Sequence, residues 1–181
     1  FTKKIGHPVF LPFSWHRSGK KEQESEVYNR HKEKEVKHSD KDAIEEQLKV
    51  SAKTNALVLR NVPRLDKELL DKMKHVEVLV LSNSNLENID ASIQDLKALR
   101  SLVIVDATLG DKGLPSEFYG LGGLVHLCLR GSQISDVSPF LALQNIEVLD
   151  LANNDIKDVD VSKVGAHSKL RRLVLRGNKF E

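Results

Sequence analysis

The chain has 181 residues, of which 40% are hydrophobic and 30% charged, with 28 Lys and Arg against 26 Asp and Glu and a formal net charge of +2. This length and composition allow one domain with an extension and exclude a wholly disordered chain. A single cysteine, Cys128, excludes an internal disulfide and points to a reducing compartment, and no apolar run approaches the roughly 18 residues that a membrane-spanning helix needs.

The chain opens on Phe1, either a processed terminus or the start of a fragment. Residues 1–21 hold Lys3, Lys4, Arg17, Lys20 and Lys21 and no acid. The stretch beside a cleaved mitochondrial presequence has this composition, and so does a retained basic arm, which leaves the mitochondrial matrix, cytoplasm and nucleus as candidate locations. Phe10, Phe13 and Trp15 stand among these cations, a combination that pairs with phosphates and stacks on bases, so RNA and an acidic protein are both candidate partners. Val9, Phe10, Leu11, Phe13 and Trp15 are interrupted by prolines that prevent a helix, which predicts an extended anchoring peptide. It folds back on its own chain or inserts into a neighbouring subunit, and the charged linker after it favours the neighbour.

Residues 1–38 therefore form an arm and linker, more than half charged after Arg17. Next, Ser39 offers an N-cap, with Asp42 three positions on, and Ile44, Leu48 and Ala52 recur every four residues. This predicts an amphipathic helix over 39–53 that caps the C-terminal segment.

From residue 54 to 181 the chain repeats itself. The pattern Leu-x-x-Leu-x-Leu-x-x-Asn-x-Leu is filled completely by Ile146, Leu149, Leu151, Asn154 and Ile156, and again by Leu170, Leu173, Leu175, Asn178 and Phe180. Its apolar slots are filled from Val76, from Leu99 and from Leu124, while a degenerate copy surrounds Leu57 and Leu59. The starts at 54, 76, 99, 124, 146 and 170 are 22, 23, 25, 22 and 24 residues apart. These six copies resemble the leucine-rich-repeat superfamily, and the segment from Ile134 to Leu149 is similar to its intracellular type. The resemblance implies an α/β solenoid with a parallel concave sheet, short helices or turns on the convex side, and protein recognition as its business. Val62, Ser84, Ala107 and Ser132 replace the asparagine in four copies, so those turns need other backbone partners and an irregular solenoid is expected.

Strand alternation sends the fourth and sixth slots inward and the third, fifth and seventh outward. Leu69, Leu70, Met73, Ile89, Ile93, Leu96, Leu114, Phe118, Leu121, Val137, Phe140, Leu143, Val159 and Val164 are predicted to close the convex side. The outward slots give the candidate protein-binding face: Val58, Val78, Val80, Val103, Val105, His126, Cys128, Arg130, Asp150, Arg172 and Arg176. Its first half is a valine stripe, which indicates either a covering partner or the ordinary preference of parallel sheets for β-branched residues. The last motif ends at Phe180 with no returning cap, so this edge is a second candidate contact.

His126, Cys128 and Asp150 share a face and raise the idea of a nucleophilic site, but a strand surface offers no oxyanion donors and no water-excluding pocket. The histidines are scattered and the lone cysteine has no zinc spacing, so no metal is expected, and Gly120, Gly122 and Gly123 lack a following Lys-Ser or Lys-Thr for phosphate. The sequence thus predicts a non-catalytic scaffold without cofactor, small-molecule substrate or membrane span. The sharper expectation is a structural subunit of a large organellar assembly such as a mitochondrial ribosome. The alternative is a regulatory adaptor for one protein partner, and a hydrolase-like site comes third.

Overall fold

The computed structural model describes residues 40–107, 109 and 114–180. The basic and aromatic residues of the arm, Lys3 to Lys21, lie outside the described residues, as does the cap residue Ser39.

The first element is α1, Asp40–Thr54. Ile44 and Leu48 pack against the core, and the next residue on that face is Ser51, fully buried, rather than Ala52, which is exposed. A helix turn of 3.6 residues explains the shift: positions 44, 48 and 51 stay on one stripe, whereas a strict four-residue step drifts off it. Ser51 satisfies its hydroxyl by donating to the Leu48 carbonyl at 2.7 Å and by bonding His75 Nε2 at 3.0 Å.

Asn55 then ends the helix in the left-handed region at φ 55°, where asparagine is better tolerated than most residues. Its amide donates to Ser51 and its carbonyl accepts from the amides of Glu77 and Val78 at 2.8 and 3.1 Å. One residue therefore closes the helix and opens the sheet.

Six strands come next: β1 (Ala56–Arg60), β2 (Val78–Ser82), β3 (Ser101–Val105), β4 (His126–Arg130), β5 (Val148–Asp150) and β6 (Arg172–Val174). They pair in chain order and all in parallel, with equivalent repeat slots side by side, for example Leu57 with Leu79 and Leu79 with Leu102. Parallel neighbours require a crossover on one side of the sheet. Here the crossovers carry α2 (Lys67–Lys72), three short 3-10 helices (Ala91–Asp95, Ser116–Gly120 and Ser138–Ala142) and α3 (Val161–Ala166). Asp66, Asp90 and Asp160 cap three of these turns by accepting amide hydrogens from the first turn.

Between the sheet and the crossovers runs one continuous apolar cluster from Leu57 to Ile156. Leu70, Met73, Ile93, Leu96, Leu114, Phe118, Leu121, Val137, Phe140 and Leu143 close its convex side, whereas Leu69, Ile89, Val159 and Val164, expected with them, are only half-buried, and Tyr119 meets Phe118 and Phe140 edge-on at centroid distances of 5.9 and 5.7 Å. The chain is an irregular leucine-rich solenoid in this sense: the first and last crossovers carry an α-helix and the three between them 3-10 helices, while the strand register does not change. Burial falls off in the last described repeat, where Leu170, Leu173 and Leu175 are half-buried and Phe180 is 45% exposed.

Candidate functional site

The sheet's outer face is a grid set by register. Its third-slot row runs Ala56, Val78, Ser101, His126, Val148, Arg172, and its fifth-slot row runs Val58, Val80, Val103, Cys128, Asp150, Val174. The seventh-slot row begins Arg60, Ser82, Val105, Arg130 in the same register. Strand register thus brings ten of the eleven residues singled out from sequence onto one grid, while Arg176 follows β6 outside the paired strands.

They are not equally available. Val58, Val80, Val105 and His126 are half-buried, and Arg172 and Arg176 are exposed. Val78 and Val103 retain only 8% and 4% exposure, Cys128 2% and Asp150 none. The valine stripe is therefore less open than simple alternation predicts. Side chains stand beside their register neighbours about 4.8 Å away, and a small residue between larger ones lies in a valley.

The polar chemistry is already committed at the centre of this face. Arg130 donates from Nε and Nη2 to Asp150 Oδ2 at 2.9 and 2.6 Å, and the Ala152 amide donates to Asp150 Oδ1 at 3.0 Å. A carboxylate with no solvent exposure persists because both its oxygens are engaged. Burial, together with the Asp150 charge, pushes the Cys128 thiol up to about 12, and burial lowers the His126 pKa. Both shifts run against nucleophilic catalysis, which needs a thiolate near neutral pH. His126, Cys128 and Asp150 do share the face, but Asp150 orients Arg130 rather than the imidazole.

One polar group on the face is left over. Ser101 is buried to 4% exposure and its Oγ has no hydrogen-bond partner. It lies between Val78 and His126 in the third-slot row.

The turns that leave the strands show a feature that sequence inspection passed over. The eighth slot of every repeat is left-handed: Asn61, Asn83, Asp106, Gly131, Asn153 and Gly177 have φ between 49° and 70°. Asn, Asp and Gly are the residues that tolerate this region, so the signal was present in composition. These amides rejoin the next strand's end, as in Asn61 to Ser82, Asn83 to Val105 and Asp106 to Arg130. Behind them Asn154 donates to the carbonyls of Leu129, Leu151 and Ala152 and accepts from the amides of Ser132 and Ile134. Asn178 repeats part of this pattern. Ser84 supplies a shorter version, accepting from Val62 and donating to Ser82.

Two open depressions lie elsewhere. One is lined by Ser138, Asn145, Lys163 and His167, but His167 bonds the Leu143 carbonyl through Nε2 and accepts the Leu170 amide through Nδ1, so its ring serves the backbone. The other is lined by Arg64, Asp66, Asp90 and Pro115. Among the described residues no cluster of three metal-ligating side chains occurs, and no helix is long and apolar enough to cross a membrane.

The repeat geometry has a counterpart in known families. A family model described as Leucine Rich repeat matches residues 142–165, which span β5 and the turns on both sides of it. The chain folds as a leucine-rich-repeat solenoid. Human Podocan-like protein 1 is 30% identical over 104 residues, 56% of this chain and 20% of that protein. This leucine-rich-repeat chain thus spans about a fifth of the length of its curated relative. Among solved structures, the Leptospira interrogans leucine-rich-repeat protein LIC12759 superposes with a TM-score of 0.62 at 22% identity, over 75% of this chain and 34% of that one. The TLR13–ssRNA13 complex gives a TM-score of 0.56 at 24% identity, over 67% of this chain and 18% of that one. At these identities the structures speak to the fold alone.

Proposed function

We propose that this leucine-rich-repeat protein is a non-catalytic scaffold that binds another protein on the concave face of its sheet. The observation that supports this reading most is the composition of the face: half-buried valines toward β1–β3, exposed arginines on and after β6, and a thiol too weakly acidic to act as a nucleophile. Such a surface offers adhesive area and a charged rim but no reaction centre. Protein is favoured over nucleic acid because the three outward rows contain no Phe, Tyr or Trp on which a base would stack.

A photo-crosslinking amino acid placed at Val80 or Arg176, and separately at the convex positions Gln94 and Gln144, tests the face directly in cells of origin. The expected result is protein adducts from the first pair only. Adducts from the convex pair alone overturn the reading.

The finer role within this reading is a subunit of a large organellar assembly such as a mitochondrial ribosome, supported by the excess of cations over residues 1–21. Sedimentation of the tagged protein with and without RNase distinguishes it from a single-partner adaptor. Migration in a large particle that collapses on RNase treatment supports the subunit, and migration as a small species indifferent to RNase supports the adaptor.

A further inference from the structure

We infer that the open side of β6, the last strand of the sheet, is a second interface. It takes one further strand, parallel and in repeat register, from a partner protein whose sequence spaces three apolar residues as in Leu-x-x-Leu-x-Leu. This surface is separate from the concave face, and the junctions that the fold already makes define its occupant.

Those junctions use one hydrogen-bond pattern. The second-slot carbonyls of Asn55, Glu77, Arg100, Val125 and Glu147 each accept two consecutive amides from the next repeat, as Glu147 does from Arg171 and Arg172 at 2.8 and 3.0 Å. The eighth-slot amides of Asn61, Asn83, Asp106, Gly131 and Asn153 each donate to the seventh-slot carbonyl of the next repeat, at Ser82, Val105, Arg130, Ala152 and Arg176. The sixth repeat presents the same two groups, the Arg171 carbonyl and the Gly177 amide, and among the described residues no main-chain group meets either. The Arg172 amide and the Val174 carbonyl turn towards the preceding repeat, so alternation directs the main-chain groups of Leu173 to the open side. A parallel strand that begins with two consecutive amides and carries a carbonyl at the seventh slot satisfies all of them, as β2 to β6 each do at their own junctions.

The side chains agree. Where another repeat follows, the fourth- and sixth-slot leucines are sealed: Leu127, Leu129, Leu149 and Leu151 retain at most 1% exposure. Leu173 and Leu175 fill the same slots in the last described repeat and are only half-buried, and Phe180 is 45% exposed. Free edges are commonly protected by a proline or an inward-pointing charge, and solenoid termini by a polar outer face. Here the inward slots carry leucine, which suits continued stacking. Main-chain pairing combined with burial of alternate side chains is how a peptide adds a strand to a sheet. Matching Leu173 and Leu175 requires two apolar residues in alternation, and the spacing of Ile146, Leu149 and Leu151 places the third ahead of them.

The test is selection of random twelve-residue displayed peptides on the immobilised full chain, followed by hydrogen exchange of the complex with a synthetic winner. Enriched peptides are expected to carry apolar residues with the spacing of Ile146, Leu149 and Leu151. The Leu173 and Gly177 amides should exchange at least about tenfold more slowly in the complex, while those of Arg171 and Arg172, already bonded to Glu147, should not change. Leu173→Lys, verified as folded by circular dichroism, should bind the winner at least about tenfold more weakly, because a charge replaces an apolar contact. Gln94→Lys, which adds the same charge on the convex side, should bind as the parent does. If Leu173→Lys does not fold, the exchange pattern decides alone. Winners without the apolar spacing, protection confined to other amides, or no enrichment overturn the inference. Winners lost with Val80→Lys but kept with Leu173→Lys also overturn it and place the peptide on the concave face. Dimers of the free chain in analytical ultracentrifugation, with the Leu173 and Gly177 amides already protected, overturn it in favour of a second copy.

Discussion

The turns after β5 and after β2 solve the same problem by different means. At Asn154 a single buried side chain takes two amides of the preceding repeat and three carbonyls. At Ser84 a hydroxyl takes one amide and one carbonyl, and the equivalent slots at Val62 and Ala107 have no polar side chain to offer. The stack nevertheless holds its register through both halves, because backbone pairs such as Asn85 to Val62 and Asp155 to Ile134 recur in each. The asparagine ladder is thus an addition to a turn that the backbone already defines, concentrated in the C-terminal half, where burial is thinnest.

Substitution at the two turns separates these contributions. Asn154→Ala leaves several buried amide and carbonyl groups unmatched, and at about 1–3 kcal/mol for each buried group left without a partner the expected loss is about 3 kcal/mol after partial rescue by water. Ser84→Ala removes one amide acceptor and should cost about 1 kcal/mol. Equilibrium urea denaturation of both variants measures the contrast. Equal losses would mean that the asparagine does no more than the serine and that backbone pairing dominates in both halves.

The glycines provide a second contrast, smaller in size and opposite in sign. Gly177 sits at φ 70°, and an added Cβ would clash with Asn153 Oδ1 in the neighbouring turn. Gly165 lies in α3 with nothing within 4 Å of such a Cβ. Gly177→Ala should therefore cost about 1–2 kcal/mol for the left-handed backbone, while Gly165→Ala should add about 0.5–1 kcal/mol by helix propensity and reduced chain entropy. Thermal melts that move in opposite directions are the expected outcome. A neutral Gly177→Ala would show that the last described turn is loose enough to abandon the left-handed geometry.

Much of this was legible in the sequence because period and alternation are properties of the chain itself. The slots beginning at 76, 99, 124 and 146 fixed which leucines face inward, and each of Leu79, Leu102, Leu127 and Leu149 is buried as that pattern requires. What was not legible depends on neighbours from other repeats. Asp150 reads as an exposed slot until Arg130 of the adjacent strand closes over it, and Ser101 reads as unremarkable until the fold leaves its hydroxyl unmatched. Ala52 reads as the third residue of the α1 stripe only if four-residue spacing is taken literally. The left-handed eighth slot was readable in principle, since Asn, Asp and Gly fill it six times, but it lies outside the hydrophobic pattern that drew the alignment.

The smallest effect falls on His126, and it bears on the two halves of the face because this residue stands where the valine stripe meets the polar end. Burial lowers its pKa in the folded chain, against a weaker opposing pull from Glu147. An unfolded histidine titrates near 6.5. A depressed folded value means that the unfolded state takes up the proton first, so the contribution is fully present above about pH 6.5 and is lost as the pH falls through the folded value. His126→Gln removes the titration while keeping a polar side chain of similar reach. The stability difference between pH 7.5 and pH 5.5, from urea midpoints, should accordingly be smaller in the variant than in the parent, whatever the other histidines contribute to both. An identical difference would place the imidazole in water rather than in the wall between Ser101 and Val148.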